Sequence, residues 1–335
     1  MAVPAVKRAD LVLSGGGVKG IGLVGAVAAV VDAGYRLQRI SGTSAGALVG
    51  AVLAAAAQSG RVGADELKDL ALEIDYRAFL DPGPIQRIPV LGPALGVATG
   101  DGVYRGDALR DWVAERLDEY GVSTFADLAI DNPALPPEQR YRLVLTVADV
   151  TLGQLIRLPW DYRRVYGLDP DTQLVADAVR ASTAIPFFYH PATLTGPGGR
   201  ASRLVDGGLL SNFPIDSLDR TDGKPPRWPT FGITLLPELP ADNTQVIPAL
   251  RPLRLFGPPT LLEQVVTTIL VGHDQAYLSR PWVSARTIRV DTSDVGVLDF
   301  NLSQRQMLAL YDKGFAAARE FLATWDFAAY VARFR

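Results

Sequence analysis

The stretch Ile40-Ser41-Gly42-Thr43-Ser44-Ala45-Gly46 has the form Gly-x-Ser-x-Gly and lies between an apolar strand pattern and an apolar helix pattern. Such a turn brings the residues two before and two after the serine close together, which glycine tolerates best. The serine then lies at a helix N-terminus, where unpaired N–H groups carry partial positive charge. The pattern predicts a nucleophilic Ser44 with the N–H of Ala45 near a developing oxyanion. A serine that only caps a helix would give the same pentapeptide.

A second glycine-rich stretch, Gly15-Gly16-Gly17-Val18-Lys19-Gly20, follows the apolar run 9–14. Its first, third and sixth residues match the Gly-x-Gly-x-x-Gly of dinucleotide sites, but the next strand carries no acidic residue to hold a ribose. The phosphate-loop pattern fails as well, because Gly20 is followed by Ile21, where that pattern requires Lys and then Ser or Thr. The glycine run therefore presents unpaired backbone N–H groups at the start of a helix, an arrangement that binds anions. Beside a serine nucleophile, that anion is the oxyanion of acyl transfer.

The third stretch is Val205-Asp206-Gly207-Gly208, a carboxylate at a strand end followed by two glycines. A turn without any catalytic role would look the same. A serine nucleophile needs a base, and the chain has only two histidines. His273 follows Asp206, as in α/β-hydrolase triads, but it lies inside a helical pattern, and His190 precedes Asp206. We therefore predict Asp206 as the base, with a pKa raised by burial.

Hydrophobic patterning predicts an α/β fold, since strands and helices alternate from the start of the chain. Strands are predicted over 9–14, 35–41, 141–149, 154–158, 203–205, 230–236 and 285–290, and helices over 21–32, 45–57, 65–78, 107–120, 175–182, 261–277 and 303–323. Residues 81–106 are predicted as a long loop, either a lid over an apolar pocket or surface packing. Residues 237–259 are predicted as a proline-rich connection. With no repeat or clear linker, we predict one domain over 1–335.

Composition excludes several classes of function. The 335 residues have a net charge of −3 and no basic run, so no nucleic-acid partner is expected. The chain has no cysteine, which rules out thiol catalysis and thiolate metal sites. No His/Asp cluster has ligand spacing, so no metal or other cofactor is predicted. The apolar runs 21–31 and 45–57 are too short to span a membrane and are predicted as buried helices.

The N-terminus shows no signal-peptide pattern, so the expected location is cytoplasmic, with peripheral membrane association left open.

Together the three stretches resemble the patatin-like phospholipase family, marked by Gly-Gly-Gly-x-Lys/Arg-Gly, then Gly-x-Ser-x-Gly, then Asp-Gly-Gly/Ala. This chain carries the three patterns at 15–20, 42–46 and 206–208, in that order. Residues 179–186 also look like the segment that precedes the aspartate motif in the family. The resemblance covers a motif-bearing core over 9–216, and the remainder, 217–335, looks like the completion of the sheet and its helices.

The resemblance implies a three-layer α/β/α patatin-like fold with a central, mostly parallel sheet, and a Ser–Asp dyad without a metal. Ser44 would attack an ester carbonyl, and Asp206 would accept its proton. The N–H groups of Gly15, Gly16 and Gly17 would form the oxyanion hole. The other motif positions would support the site: Lys19, Gly20, Gly42, Gly46, Gly207 and Gly208.

The implied substrate is a lipid or other acyl ester, and transient contact with a membrane surface is left open. Two alternatives stay open: a carboxylesterase or thioesterase without lipid preference, and a non-catalytic module that binds acyl lipids on the same fold. The sequence does not indicate an oligomeric state.

Overall fold

The computed structural model describes residues 6–60, 62–83, 102–235 and 275–335. Within these ranges a single sheet has eight strands. They are β1 Lys7–Leu13, β2 Tyr35–Thr43, β3 Leu143–Asp149, β4 Gln154–Leu158, β5 Ala192–Thr195, β6 Ala201–Asp206, β7 Thr230–Thr234 and β8 Thr287–Arg289. The α-helices of the same ranges are α1 Gly20–Asp32, α2 Ala45–Ser59, α3 Ala64–Glu73, α4 Asp107–Asp118, α5 Val175–Ser182, α6 Gln275–Leu278, α7 Pro281–Ser284, α8 Gln304–Thr324 and α9 Phe327–Phe334.

The sheet is mixed and mostly parallel. Strands β3, β2, β1, β7 and β8 are neighbours in that order, and each of these pairs is parallel. Strands β4 and β6 both pair with β3 in the antiparallel sense, and β5 pairs with β6 in the same way. Helices connect β1 to β2 and β2 towards β3, as parallel neighbours require.

Side chains of β1 alternate between the two faces of the sheet. Leu11 and Leu13 belong to the main core, which they share with the buried faces of α1, α2, α3 and α8. Val12 points the other way, into a second cluster with Phe213 and Ile215 that also includes buried side chains of α6 and α7. Helices on one face and the 213–218 segment with α6 and α7 on the other give the predicted three layers.

The two apolar runs predicted as buried helices are α1 and α2, and both are buried over most of their length. Helix α1 crosses α8 at very short range. A Cβ added at Gly25 would lie 2.0 Å from the carbonyl oxygen of Tyr311, and one added at Gly314 would lie 2.0 Å from that of Gly22. Glycine is therefore required on both helices. No helix of the described ranges is both long and apolar enough to cross a bilayer.

The predicted helix over 65–78 is wrong at its C-terminal end. Helix α3 ends at Glu73, Ile74 is extended with ψ 115°, and a 3₁₀ helix spans Tyr76–Phe79. The carboxylate of Asp75 accepts a hydrogen bond from the N–H of Arg77 and caps this second helix. A local side-chain acceptor thus competes with continuation of α3.

Several short elements have no counterpart in the predictions. They are β5, α7, α9, the π-helix Tyr162–Tyr166 and the 3₁₀ helices Gly17–Lys19, Phe125–Leu128, Pro137–Gln139, Pro170–Thr172 and Gly207–Leu209. Each of these helices is eight residues or shorter, and β5 has four residues, so none offers enough periodicity for recognition.

Three predictions fall on residues outside the described ranges. Most of the predicted loop, at 84–101, the connection 237–259, and residues 261–274 of the predicted helix, with His273, are in this group. The described ends of the loop are held together, because the carboxylate of Asp81 accepts hydrogen bonds from three consecutive N–H groups at the start of α4, those of residues 106–108.

Candidate active site

Two strand ends meet head-on along one edge of β3. Strand β2 pairs with residues 143–146 of β3 and β4 pairs with residues 145–149, so these two strands occupy opposite edges. Strand β6 pairs with residues 147–149 and must therefore continue the edge used by β2. Because β2 is parallel and β6 antiparallel to β3, the two strands run towards each other. They end at Thr43 and Asp206.

Ser44 occupies the sharp turn between β2 and α2. Its φ of 53° and ψ of −120° are rare for a residue with a side chain. Its carbonyl oxygen accepts hydrogen bonds from the N–H groups of Ala47 at 2.8 Å and Leu48 at 3.1 Å, so α2 begins at this residue. The Ser44 hydroxyl makes no capping hydrogen bond to α2.

The two glycines of the Gly-x-Ser-x-Gly motif allow this turn to close. A Cβ added at Gly42 would lie 2.2 Å from the carbonyl oxygen of Gly46. One added at Gly46 would lie 2.3 Å from the carbonyl oxygen of Leu13, on β1. The predicted close approach across the serine is present in the structure, and no side chain fits at either position.

Ser44 and Asp206 are in direct contact. Ser44 Oγ donates a hydrogen bond to Asp206 Oδ2 at 2.5 Å, and the N–H of Gly208 donates to Asp206 Oδ1 at 2.8 Å. Asp206 is 1% exposed and Ser44 5% exposed. Burial raises the pKa of Asp206 to about 7, while these two hydrogen bonds oppose the rise. A carboxyl with such a pKa can exchange protons near neutral pH.

The turn after Asp206 also depends on glycine. A Cβ added at Gly207 would lie 2.3 Å from the carbonyl oxygen of Thr146, on β3. The backbone therefore passes directly over β3 at this point and presents the Asp206 carboxylate to the end of β2.

The glycine loop lies against Ser44. A Cβ added at Gly15 would lie 3.1 Å from Ser44 Cβ and 2.1 Å from Asn212 Oδ1. However, the N–H of Gly15 already donates to the carbonyl oxygen of Asn212 at 3.1 Å. This corrects the prediction that Gly15 offers a free donor. The N–H groups of Gly16 and Gly17 have no hydrogen-bond partner among the described residues.

The outer side of the loop is held by the segment that follows β8. The N–H of Val18 donates to the carbonyl oxygen of Val297 at 3.1 Å. Gly17 has a φ of +59°, and a Cβ there would lie 2.0 Å from the same oxygen. The loop can lie this close to Val297 only because Gly17 has no side chain.

Lys19 and Gly20 complete the glycine motif. Burial lowers the pKa of Lys19 to about 8, and the nearby carboxylates of Asp294 and Asp291 oppose that change. No hydrogen bond joins Lys19 to the dyad within the described ranges. A Cβ at Gly20 would lie 3.3 Å from Ala45 Cβ, so this glycine sets the spacing between α1 and α2. These contacts agree with a supporting role for both residues.

Residues 182–184, at and just after the C-terminal end of α5, contact the backbone of both dyad residues. The sequence did not reveal these contacts. The N–H of Ser44 donates to Ser182 Oγ at 3.0 Å, and the N–H of Asp206 donates to the carbonyl oxygen of Ala184 at 2.9 Å. Ser182 Oγ in turn donates to the carbonyl oxygen of Thr146 at 2.7 Å. The sequence signal was limited to the resemblance of residues 179–186 to a family segment.

His190 lies elsewhere in the hydrogen-bond network. Its N–H donates to the carbonyl oxygen of Tyr104 at 2.8 Å, and its own carbonyl oxygen accepts from Arg180 at 2.7 Å. Its buried Nε2 has no hydrogen-bond partner in the described part of the chain, so no such bond reaches Ser44 or Asp206. Across these same ranges, no three or more His, Asp or Glu side chains are grouped so that they could hold a metal ion.

Comparison with known proteins identifies relatives over most of the chain. The family described as patatin-like phospholipase matches residues 11–219. YqhO, an uncharacterised protein of Bacillus subtilis strain 168, is 35% identical over 325 residues, which cover 95% of this chain and 99% of the relative. An uncharacterised NTE family protein of Mycobacterium tuberculosis strain CDC 1551 is 28% identical over 331 residues, but the match spans only 47% of that protein. Among solved structures, VipD from Legionella pneumophila has a TM-score of 0.49 at 17% identity, covering 96% of this chain and 68% of VipD.

Proposed function

This chain belongs to the patatin-like phospholipase family, and from that membership we propose that it hydrolyses carboxylic esters of lipids through Ser44 and Asp206. The observation that carries the proposal is the 2.5 Å hydrogen bond from Ser44 Oγ to Asp206 Oδ2 inside a buried site. A serine needs a base within hydrogen-bond reach, and the partner must hold its proton near the working pH. Asp206 meets both conditions.

In the proposed reaction Ser44 Oγ attacks the ester carbonyl carbon while its proton passes to Asp206 Oδ2. The carbonyl oxygen becomes an oxyanion, which accepts hydrogen bonds from the N–H groups of Gly16 and Gly17. Collapse of this intermediate breaks the bond to the leaving alkoxide, which takes the proton from Asp206. Water then attacks the acyl-enzyme with Asp206 again as base, and the carboxylic acid leaves as Ser44 regains its proton.

Asp206 acts without a histidine in this scheme because its surroundings raise its basicity. An ordinary aspartate with a pKa near 4 is too weak a base for a serine hydroxyl at neutral pH. Burial of Asp206 brings its pKa to about 7. The two hydrogen bonds to its carboxylate favour the ionised form, which predominates above that pH, and they also fix the direction of the carboxylate.

Family membership is what supports lipid esters over other acyl esters. Acylglycerols, phospholipids and short water-soluble esters share the reacting carbonyl, so the dyad does not distinguish them. Hydrolysis rates measured side by side on phospholipid vesicles, acylglycerol emulsions and a short soluble ester test this part of the proposal. A preference for the soluble ester would overturn the lipid assignment and leave the dyad in place.

Labelling with a fluorophosphonate tests the proposed nucleophile and base. We expect one adduct by intact mass, mapped to the Ser44 peptide, and none in Ser44→Ala. The folded Asp206→Asn variant should label at least about 100-fold more slowly, because its serine has no base.

Ser41→Ala is the matched control for this experiment. Ser41 lies on β2, three residues before Ser44, and is fully buried, and its Oγ has no hydrogen-bond partner within the described residues. Its alanine variant should label like the wild type. Adducts at another serine, or labelling in Asp206→Asn at the wild-type rate, would contradict the proposed roles.

A further inference from the structure

The main chain of Ser44 is held from two directions in a conformation that it would not adopt alone. A φ of 53° with ψ of −120° persists in a serine only where the surroundings impose it. Helix α2 fixes the carbonyl group of Ser44 through the N–H groups of Ala47 and Leu48. The N–H group of Ser44 makes no bond within the helix and needs a separate hydrogen-bond acceptor.

That partner is the hydroxyl of Ser182, the last residue of α5. The N–H of Ser44 donates to Ser182 Oγ at 3.0 Å, and the Ser182 hydroxyl donates its proton to the carbonyl oxygen of Thr146 at 2.7 Å. With its proton committed to Thr146, Ser182 Oγ presents a lone pair to Ser44. The hydroxyl is thus oriented as an acceptor by β3.

The same short segment also holds the other member of the dyad. Two residues after Ser182, the carbonyl oxygen of Ala184 accepts the N–H of Asp206 at 2.9 Å. The segment 182–184 therefore binds the main chains of both dyad residues, so the separation of their side chains depends on this segment.

We propose that Ser182 is a positioning residue for the proposed hydrolysis, whose hydroxyl fixes the Thr43–Ser44 peptide and so places Ser44 Oγ on Asp206. Ser182 does not touch the reacting atoms and acts only through Ser44. The inference rests on the proposed function, because it assumes that the contact between Ser44 and Asp206 is used in catalysis.

Removal of this hydroxyl leaves a buried donor without a partner. Ser182 is fully buried and Ser44 is 5% exposed, so water cannot readily replace Ser182 Oγ. In Ser182→Ala the peptide before Ser44 is free to rotate and relieve the positive φ, which draws Ser44 Oγ away from Asp206. Misplacement of a reacting group by about 1 Å can cost about 100-fold in rate.

The experiment compares the steady-state kinetics of Ser182→Ala, Ser41→Ala and the wild type on one ester substrate. We expect kcat to fall about 10- to 100-fold in Ser182→Ala with KM changed less than about 2-fold, since substrate contacts are intact. Ser41→Ala loses an equally buried hydroxyl three residues from Ser44, and it should keep wild-type kinetics.

A second readout separates positioning from a general loss of structure. The hydrogen bond from Ser44 lowers the pKa of Asp206, so retreat of the serine removes that effect and the pKa rises. The acidic limb of the kcat/KM profile should therefore move to higher pH in Ser182→Ala and stay in place in Ser41→Ala. A variant that was only partly unfolded would lose amplitude without moving the limb.

The outcomes are distinguishable. A wild-type protein that neither labels with fluorophosphonate nor hydrolyses esters would overturn the proposed function and this role together. An active wild type whose Ser182→Ala variant matches Ser41→Ala in kcat and pH profile would overturn the positioning role alone.

If Ser182→Ala does not fold, Ser182→Cys provides the same test, because the thiol fills the site but is a weaker hydrogen-bonding group. Wild-type kinetics in Ser182→Cys would equally contradict the positioning role.

Discussion

At the scale of single residues, the pH dependence of the reaction follows from the environment of Asp206. Its pKa lies at about 7 because the carboxyl is buried, and the proposed mechanism needs the ionised form. Activity should be lost as the pH falls through about 7 and be present above it. A kcat/KM profile from pH 4 to 9 measures this limb. A limb near pH 4, where exposed aspartates titrate, would show that Asp206 is not the base.

The two histidines provide the sharpest test of the dyad against a triad. We expect a variant with both His190→Gln and His273→Gln to keep most of the activity and the same acidic limb. The reason is that His190 makes no hydrogen bond to the dyad in the described structure, and His273 was predicted to lie on a helix. The measurement is kcat/KM against pH for the double variant, with Asp206→Asn as the inactive reference. Inactivity of a well-folded double variant would show that a histidine is the base.

Ionisation of Asp206 also affects folding. Its pKa is raised in the native state, so between about pH 4 and pH 7 the native protein binds a proton that the unfolded chain has released. This contribution therefore weakens stability as the pH rises through that window. Asp206→Asn removes the effect, so its stability relative to the wild type should improve between pH 4.5 and pH 7.5, by about 1.4 kcal/mol per pKa unit at most.

Urea unfolding at the two pH values checks this prediction, with Ser41→Ala as a control that keeps the carboxylate and both of its hydrogen bonds. A difference between Asp206→Asn and the wild type that did not change with pH would mean that Asp206 titrates normally in the folded protein.

At the scale of elements, the sequence was most informative where an element carries a local signal. Ser44 and Asp206 could be predicted because the glycines that form their turns lie within a few residues of them in the sequence. Ser182 could not be found in this way, since its hydrogen-bond partners lie 138 and 36 residues away in the chain. The paired N–H of Gly15 was missed for the same reason, because its acceptor at Asn212 comes from a distant turn. The hydrogen bonds of Ser182 and Gly15 depend on how distant segments pack together in the fold, and a local sequence pattern does not encode that packing.

The crossing of α1 and α8 gives a prediction that opposes helix propensity. Glycine to alanine inside a helix normally stabilises by up to about 1 kcal/mol. At Gly314 the added Cβ would lie 2.0 Å from the carbonyl oxygen of Gly22, a backbone atom that cannot move aside alone. Gly314→Ala should therefore destabilise by about 1–3 kcal/mol, as measured by urea unfolding.

Gly198→Ala serves as its control, because that position has no atom within 4 Å of an added Cβ and no left-handed φ. The control should lie within about 0.5 kcal/mol of the wild type. A Gly314→Ala variant as stable as the wild type would show that α1 and α8 separate more easily than their contact suggests.

At the scale of the whole molecule, the match to the family ends at residue 219, but the sheet does not. Strand β7 pairs with β1 on the side away from β2, β8 extends the sheet from β7, and α8 covers α1. The first strand and first helix of the motif-bearing core are therefore buried by residues that follow it. From that arrangement we propose that the chain folds as one domain. The motifs alone do not lead to this proposal, because none of them lies beyond residue 208.

We expect the chain to unfold as one unit. Loss of β7, β8 and α8 would expose an edge of β1 and the apolar surface of α1, whose residues Ile21 to Val30 are all buried, so a fragment of residues 1–219 should not fold. Calorimetry of the full chain should give one transition with equal calorimetric and van't Hoff enthalpies. Two transitions, or a fragment 1–219 with a cooperative transition of its own, would divide the chain into two domains. In that case α8 would be a docked element whose release uncovers α1.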